Sequence, residues 1–455
     1  MFTLRPYQAQ AIADARKAFR AGHRAVLFQL PTGGGKTVTA STVVHGAAAK
    51  GNATWWLTHR RELAGQASKT FHELGIPHGT VQAGFVSNPR ASVQVGSIQT
   101  IARRLDQLPS PDLIVFDEAH HLGAASWEAI FNHFPRARIL GLTATPWRLD
   151  GQGLGRWFGH MVRGPTTAEL IEEGSLSKYR LFAPATPDLS DVATAQGDYQ
   201  RGALAQAMDK PQIVGDAIGH YQRLCPGKRA VAFAAGVQNS INIAALFNAA
   251  GIPAEHVDGS MSTEARDAAV ARFRSGETLI LSNADLFGEG FDVPAIEAAI
   301  LLRPTKSLSL HLQHVGRALR PCEGKTEAIL LDHAGNSLMH GLPDDVREWS
   351  LEDREKRSRK EIADTPVRQC KECFFVYRPA PACPQCGHRP PVVVREIEQV
   401  EGTLQEVKVA AASARKWEER DCSTLDDWQA LARQRGYKPG WAMIRYQARQ
   451  ARRAA

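Results

Sequence analysis

In the stretch LIVFDEAHHL, Leu113 to Leu122, four apolar residues run straight into Asp117 and Glu118 and then into two histidines. The apolar run reads as a buried strand, and two adjacent carboxylates at its end are costly to desolvate unless a cation meets them. A second stretch supplies a reason for a cation. In LPTGGGKT, Leu30 to Thr37, a glycine-rich turn follows the apolar run from Ala25 and precedes a helical pattern. Such a turn aims backbone N–H groups and a helix N-terminus at a phosphate. After Thr32, the glycines Gly33, Gly34 and Gly35 permit close backbone approach, Lys36 reaches the outer phosphates, and Thr37 can coordinate Mg2+. Asp117 would hold the ion that a nucleotide such as ATP brings, and Glu118 would polarise the attacking water. The strict Gly-x-x-x-x-Gly-Lys-Ser/Thr pattern fails at its first position, Leu30. The competing readings are a plain glycine-rich turn and an acidic surface turn.

Two further clusters carry chemistry. In QHVGRALR, residues 313–320, Gln313, Arg317 and Arg320 can share one face of a helix. Guanidinium groups brought to the γ-phosphate from a second domain would act as arginine fingers, and arginines on solvent or a DNA backbone are the alternative. In CKECFFVYRPAPACPQCG the spacing C-x2-C-x9-C-x2-C places Cys370, Cys373, Cys383 and Cys386 as two knuckles joined by a hairpin. Four thiolates with no open position argue for a structural, tetrahedral Zn2+ site rather than a redox pair. His388 is a spare ligand. Phe374, Phe375 and Tyr377 either stack on bases or pack a core too small to hold itself together.

These groups need a scaffold, and the chain supplies an α/β one. HRAVLFQL, ATWWLTH, ASVQVGS, DLIVFDE and ARILGLT alternate with helical patterns, which implies a parallel sheet covered on both faces. KRAVAFAAG, IPAEHVDGS, TLILSNADL, IEAAILLRP and EAILLDHAG form a second set of similar size. Between the sets the periodicity weakens and Gly, Pro and Asp accumulate. The expected boundaries are a first α/β domain over 1–165, a connection over 166–205 and a second α/β domain over 206–345. A charged linker helix follows over 346–366, then the four-cysteine module over 367–390, a linker over 391–423 and a basic helical segment over 424–455. In its last helix Trp441, Ile444 and Ala448 would share a face beside a basic stripe of Arg445, Arg449, Arg452 and Arg453, suited to phosphate or to an acidic protein partner.

Composition narrows the setting. No apolar run approaches the roughly 20 residues that span a bilayer, and the N-terminus lacks a signal-peptide pattern, so the expectation is a cytoplasmic protein with no membrane partner. The net charge of +8 suits a polyanionic partner. Four of the seven cysteines fall in the two pairs, which is metal-site arithmetic rather than a disulfide framework.

Taken together, PTGGGKT, DEAH (117–120), LTATP (142–146) and QHVGRALR resemble motifs I, II, III and VI of the superfamily 2 DEAD/DEAH-box helicases, in the right order. That family tolerates a non-glycine at the start of motif I. LRPYQ (4–8) resembles its adenine-recognition motif, THRRELAGQ (58–66) motif Ia, GSIQT (96–100) motif Ib and NADLFGEGFDVP (283–294) motif V. The resemblance extends to the RadD-like branch of bacterial DNA-repair helicases, through the DHAGN segment (332–336) and the cysteine-bearing extension. It covers about three quarters of the chain and implies two RecA-like domains in tandem that hydrolyse ATP between them. It further implies Arg5 and Gln8 near the base, and Asp292 at the nucleotide. His120, Thr143 and Thr145 would couple the nucleotide to motion, with Arg60, Thr100 and Gly290 on nucleic acid. Motif V departs from the branch pattern, since GEG stands before Phe291 and Asp292. The function expected is an ATP-dependent helicase or translocase on single-stranded or forked DNA, in repair, recombination or replication. An RNA helicase, or an ATP-switched binding module that unwinds nothing, are the alternatives.

Overall fold

The computed structural model describes residues 4–454 except 60, 83–84, 89, 149–150, 185–186, 196, 209–210, 285–295, 354–366, 391–418, 420 and 439. The chain forms two units, Met1–Pro390 and Pro391–Ala455.

The first unit contains two sheet-based lobes. Lobe 1 is built on β1 (Ala25–Gln29), β2 (Thr54–Thr58), β3 (His78–Gln82), β4 (Phe85–Ser87), β5 (Val93–Ser97), β6 (Leu113–Asp117), β7 (Arg138–Thr143) and β8 (His160–Arg163). Their order is β4-β3-β5-β2-β6-β7-β1-β8, parallel throughout except for the antiparallel β3–β4 pair. The central strands are apolar at successive positions because both faces are covered. Val26, Phe28, Trp56, Val115 and Leu140 fill the core on one face. Leu27, Trp55, Leu57, Ile114, Phe116 and Ile139 fill it on the other. In such a sheet the loops at the carboxyl ends of the strands converge, and the sequence motifs lie there.

Lobe 2 is built on β9 (Lys178–Phe182), β12 (Ala230–Phe233), β13 (Ala254–Val257), β14 (Ile280–Asn283), β15 (Ala298–Leu301) and β16 (Glu327–Asp332), in the order β13-β14-β12-β15-β16-β9, all parallel. A two-stranded hairpin, β10 (Thr194–Ala195) and β11 (Asp198–Tyr199), lies between β9 and β12 in the chain. The stretch 166–205 is therefore more than a connection. It carries an edge strand of the second sheet, whose alternation is blurred by Lys178 and Arg180 because an edge tolerates charge.

The described part of the expected helix over 346–366 contains no helix. Instead, residues 349–353 run back onto lobe 1. Gly155 N donates to Leu351 O at 2.7 Å, Gly153 N to Asp353 Oδ1 at 2.9 Å, and Trp147 and Trp349 lie 4.9 Å apart. The cysteine module, with β17 (Arg368–Gln369) and β18 (Val376–Tyr377), docks on the free edge of β9. Phe375 bridges Phe182, and Ala183 N donates to Phe374 O at 3.0 Å.

In the second unit, the helices Leu425–Gln434 and Gly440–Ala454 pack around Trp428, Leu431, Ala432 and Ala442. Of the face expected from the sequence, Trp441 packs inward beside Ala442 and Tyr446, whereas Ile444 is 67% exposed and Ala448 is exposed. Part of the basic stripe is used internally, since Arg445 and Arg435 pair with Glu419 and Arg449 donates to its carbonyl. Among the described residues no helix is long and apolar enough to cross a membrane.

Candidate active site

The phosphate loop leaves β1 and enters the helix Lys36–Ala48 through Gly35, which has φ +80°. The positive φ favours glycine, and a Cβ there would sit 2.4 Å from Gln8 Nε2 and displace that amide. This contact also places Gln8, on the helix Pro6–Arg20, directly against the loop, while its Oε1 accepts Arg5 N at 3.0 Å. Arg5 donates to the Tyr7 hydroxyl at 3.2 Å, and Tyr7 donates to Gly34 O at 3.0 Å. Tyr7 thus ties the adenine-motif helix to the phosphate loop. It stands inside LRPYQ, yet its role was not read from the sequence.

Lys36 is half-buried, with Nζ donating to Leu30 O at 3.3 Å. Burial lowers its pKa, Glu118 and Asp117 oppose that, and Arg317 and Arg320 add to it. Asp117 and Glu118 are both buried at the end of β6. Burial and the neighbouring Glu118 charge push the Asp117 carboxyl up to about 7, against the pull of Lys36 and His59. Glu118 stands in the left-handed region at φ +57°. For a non-glycine residue that costs about 1–2 kcal/mol, a strain typical of a functional turn. A divalent cation fits this pair, because it would relieve the desolvated carboxylates that Lys36 alone leaves under strain.

The rest of LTATP joins this corner to lobe 2. His120 Nδ1 lies 3.4 Å from Glu118 Oε2 and 3.2 Å from Thr143 Oγ1. Thr143 donates to Thr145 O at 2.7 Å, and Thr145 donates across the cleft to Ser309 Oγ at 2.7 Å. Ser309 begins the helix Leu308–Ala318, and nothing in its local sequence announces it.

That same helix carries QHVGRA and packs on the phosphate loop. A Cβ on Gly316 would lie 2.6 Å from Thr32 Cβ, so the helix approaches as closely as only glycine allows. Gln313 and Arg317 are buried, and neither amide atom of Gln313 has a hydrogen-bond partner among the described residues. An unmet buried amide costs about 1–3 kcal/mol, which a polar ligand in the cleft would recover. His311 and His314 on the same helix are held neutral, chiefly by burial.

Thr37 is partly buried at the start of the loop helix. Thr100 is buried, and its hydroxyl accepts the Ser97 proton at 2.8 Å where Ser97 caps the helix Ile98–Ala102. Arg60, Gly290 and Asp292 lie outside the described residues.

The four cysteine sulfurs lie within 4.8 Å of one another, with Cys370–Cys386 at 3.6 Å and Cys373–Cys383 at 3.7 Å. A tetrahedron of thiolates with Zn–S bonds of about 2.3 Å has edges of about 3.8 Å, so the set fits zinc. Both knuckles close the same way: Phe374 and Gly387, each following a second cysteine, have positive φ. Burial raises the Cys370 thiol, but the backbone N–H groups of Cys373 and Glu372 and the Cys386 thiol outweigh it and bring it to about 7. The aromatics pack. Phe375 rests on the lobe 2 core, Tyr377 among the cysteines and Phe374 near His220.

Comparison with known proteins agrees with this geometry. Residues 1–148 match the family model described as type III restriction enzyme, res subunit, and residues 210–322 match the helicase conserved C-terminal domain. A 51.5 kDa protein of a Lactococcus phage is 35% identical over 80% of this chain and 77% of its own length. The ATP-dependent helicase candidate IRC3 of Saccharomyces cerevisiae is 31% identical over 73% of this chain, which spans 52% of that protein. The DNA 3'-5' translocase XPB2 of Sulfurisphaera tokodaii is 24% identical over 72% of this chain and 81% of its own.

Proposed function

Since the chain belongs to the superfamily 2 helicases, which hydrolyse ATP, we propose that it is a DNA translocase or helicase whose two lobes close on ATP and part after its cleavage. The observation that carries this reading is the seating of the helix 308–318 on the phosphate loop, with Gly316 over Thr32 and the Arg317 and Arg320 charges felt at Lys36.

Within that cleft Lys36 and the loop N–H groups hold the phosphates, and Gln8 and Arg5 stand at the base end. Glu118 orients and deprotonates the water, and its imidazole neighbour His120 fixes the carboxylate. Arg317 and Arg320 meet the charge that develops on the γ-phosphoryl group, and Gln313 supplies a further polar contact. Asp117 and Thr37 would hold Mg2+, which neutralises the outer phosphates. The four thiolates would hold Zn2+, which stiffens the module against β9. Binding favours closure because only the closed cleft offers both sets of contacts, and hydrolysis removes that preference.

DNA is favoured over RNA by the match to a restriction-enzyme subunit and by the relative named as a DNA translocase, while the net charge of +8 suits either polyanion. The RadD-like sequence resemblance makes repair, recombination or replication the process we propose. ATP turnover measured with no polymer, single-stranded DNA, forked duplex and RNA tests the reading. Stimulation by DNA is expected. Stimulation by RNA alone would move the substrate, and stimulation by none would leave an ATP-switched binding module.

A further inference from the structure

We infer that Lys325 is a positioning residue for ATP hydrolysis: its ammonium pins the last turn of the helix 308–318, and with it the reach of Arg317 and Arg320. The inference rests on the cross-cleft role proposed above for those arginines.

Lys325 lies in the turn between that helix and β16. Its Nζ donates to Ala318 O, to Arg320 O at 2.8 Å and to Ile296 O at 2.9 Å. An ammonium has three N–H donors, and all three are used on backbone carbonyls. Two of the acceptors belong to the C-terminal turn, where carbonyls have no partner within the helix and a cation is favoured by the helix dipole. The third, Ile296, is the first described residue after 285–295, which holds most of the motif V-like stretch. One side chain therefore fastens the turn that carries Arg320 to the chain leaving that stretch.

Ser177 N, which donates to Leu319 O at 2.7 Å, and the buried Leu319 side chain also hold this turn, but the tripod bears on the carbonyls on either side of Leu319, and a displacement of about 1 Å at a reacting group can cost about 100-fold in rate. The geometry also makes the hold sensitive to pH. Burial lowers the Lys325 pKa to about 8, while Cys322 and Glu297 favour its charge and Lys228 opposes it. Above that pH the neutral amine keeps two donors for three carbonyls, so the tripod weakens as pH rises.

The test uses the full chain with single-stranded DNA and measures kcat and KM for ATP between pH 6.5 and 9.5 in wild type, Lys325→Met, Lys325→Arg and Arg317→Ala. Lys325→Met is expected to lower kcat about 10- to 100-fold with KM little changed. Wild-type kcat is expected to fall above about pH 8, whereas Lys325→Arg, which keeps its charge, loses that fall. Normal kcat in Lys325→Met, or an unchanged alkaline fall in Lys325→Arg, would overturn the inference. If Lys325→Met does not fold, the arginine variant's profile decides alone. Impaired Arg317→Ala beside normal Lys325→Met would sink only this inference. Normal Arg317→Ala would sink the cross-cleft reading beneath it.

Discussion

Lobe 1 brings its ionised groups together: Lys36 lies in the field of Asp117 and Glu118, and the imidazole of His120 leans on Glu118. Lobe 2 brings guanidiniums on a helix whose histidines burial keeps neutral, so its contribution to the cleft is positive and directional. The Lys36 pKa records both, pulled up by carboxylates of its own lobe and down by Arg317 and Arg320 of the other. On the proposed reading lobe 1 binds the nucleotide and the water, while Arg317 and Arg320 of lobe 2 supply the further positive charge that the transition state needs. A site split in this way would couple chemistry to lobe movement.

The division can be broken from either side. Glu118→Gln removes the base while leaving the loop intact, and is expected to lower phosphate release by about 10³-fold or more with ATP affinity retained. Loss of affinity as well would mean that Glu118 serves binding. Arg317→Ala attacks the other half and is expected to cost about 10³-fold in kcat. Gly316→Val should push the helix off Thr32 and cost about 100-fold, with nucleotide affinity less affected than turnover. Full activity would show that the close packing is incidental.

Two smaller effects sharpen the comparison. Thr145→Val deletes the hydroxyl that meets Ser309, and is expected to lower DNA-stimulated turnover about 5-fold while basal turnover holds, the scale of one hydrogen bond. An equal loss in both would make that bond structural. Replacing Cys370 and Cys383 by Ser should remove about one zinc per chain, seen by metal analysis, and leave basal turnover largely intact. Collapse of basal turnover would place the module inside the catalytic unit.

Much of lobe 1 was legible because its chemistry is contiguous. AVLFQLPTGGGKT and LIVFDEAH each contain a buried strand and the turn that ends it, so period and composition located both. Lobe 2 was legible as strands, but β9 was not, since KYRLF gains its place only by pairing with β16 some 150 residues later. The hydrogen bond from the Ser97 hydroxyl to Thr100 Oγ1 belongs to a helix cap that the motif-like spacing of GSIQT did not announce. The last helix misled because apolar period does not say which of two neighbouring faces a short partner helix will cover, and Ala442 won over Ile444.

By itself the sequence determined the local chemistry: a glycine turn for phosphate, paired acids at a strand end, arginines at helical spacing and four thiols in two knuckles. These depend on residues a few positions apart, where covalent geometry fixes who can face whom. Only the tertiary structure decided the long-range partners: Gly316 on Thr32, Thr145 on Ser309, Tyr7 on Gly34 and the cysteine module on β9. Those pairings arise when two sheets bury their faces and bring distant loops together, and local residue preference carries no record of them.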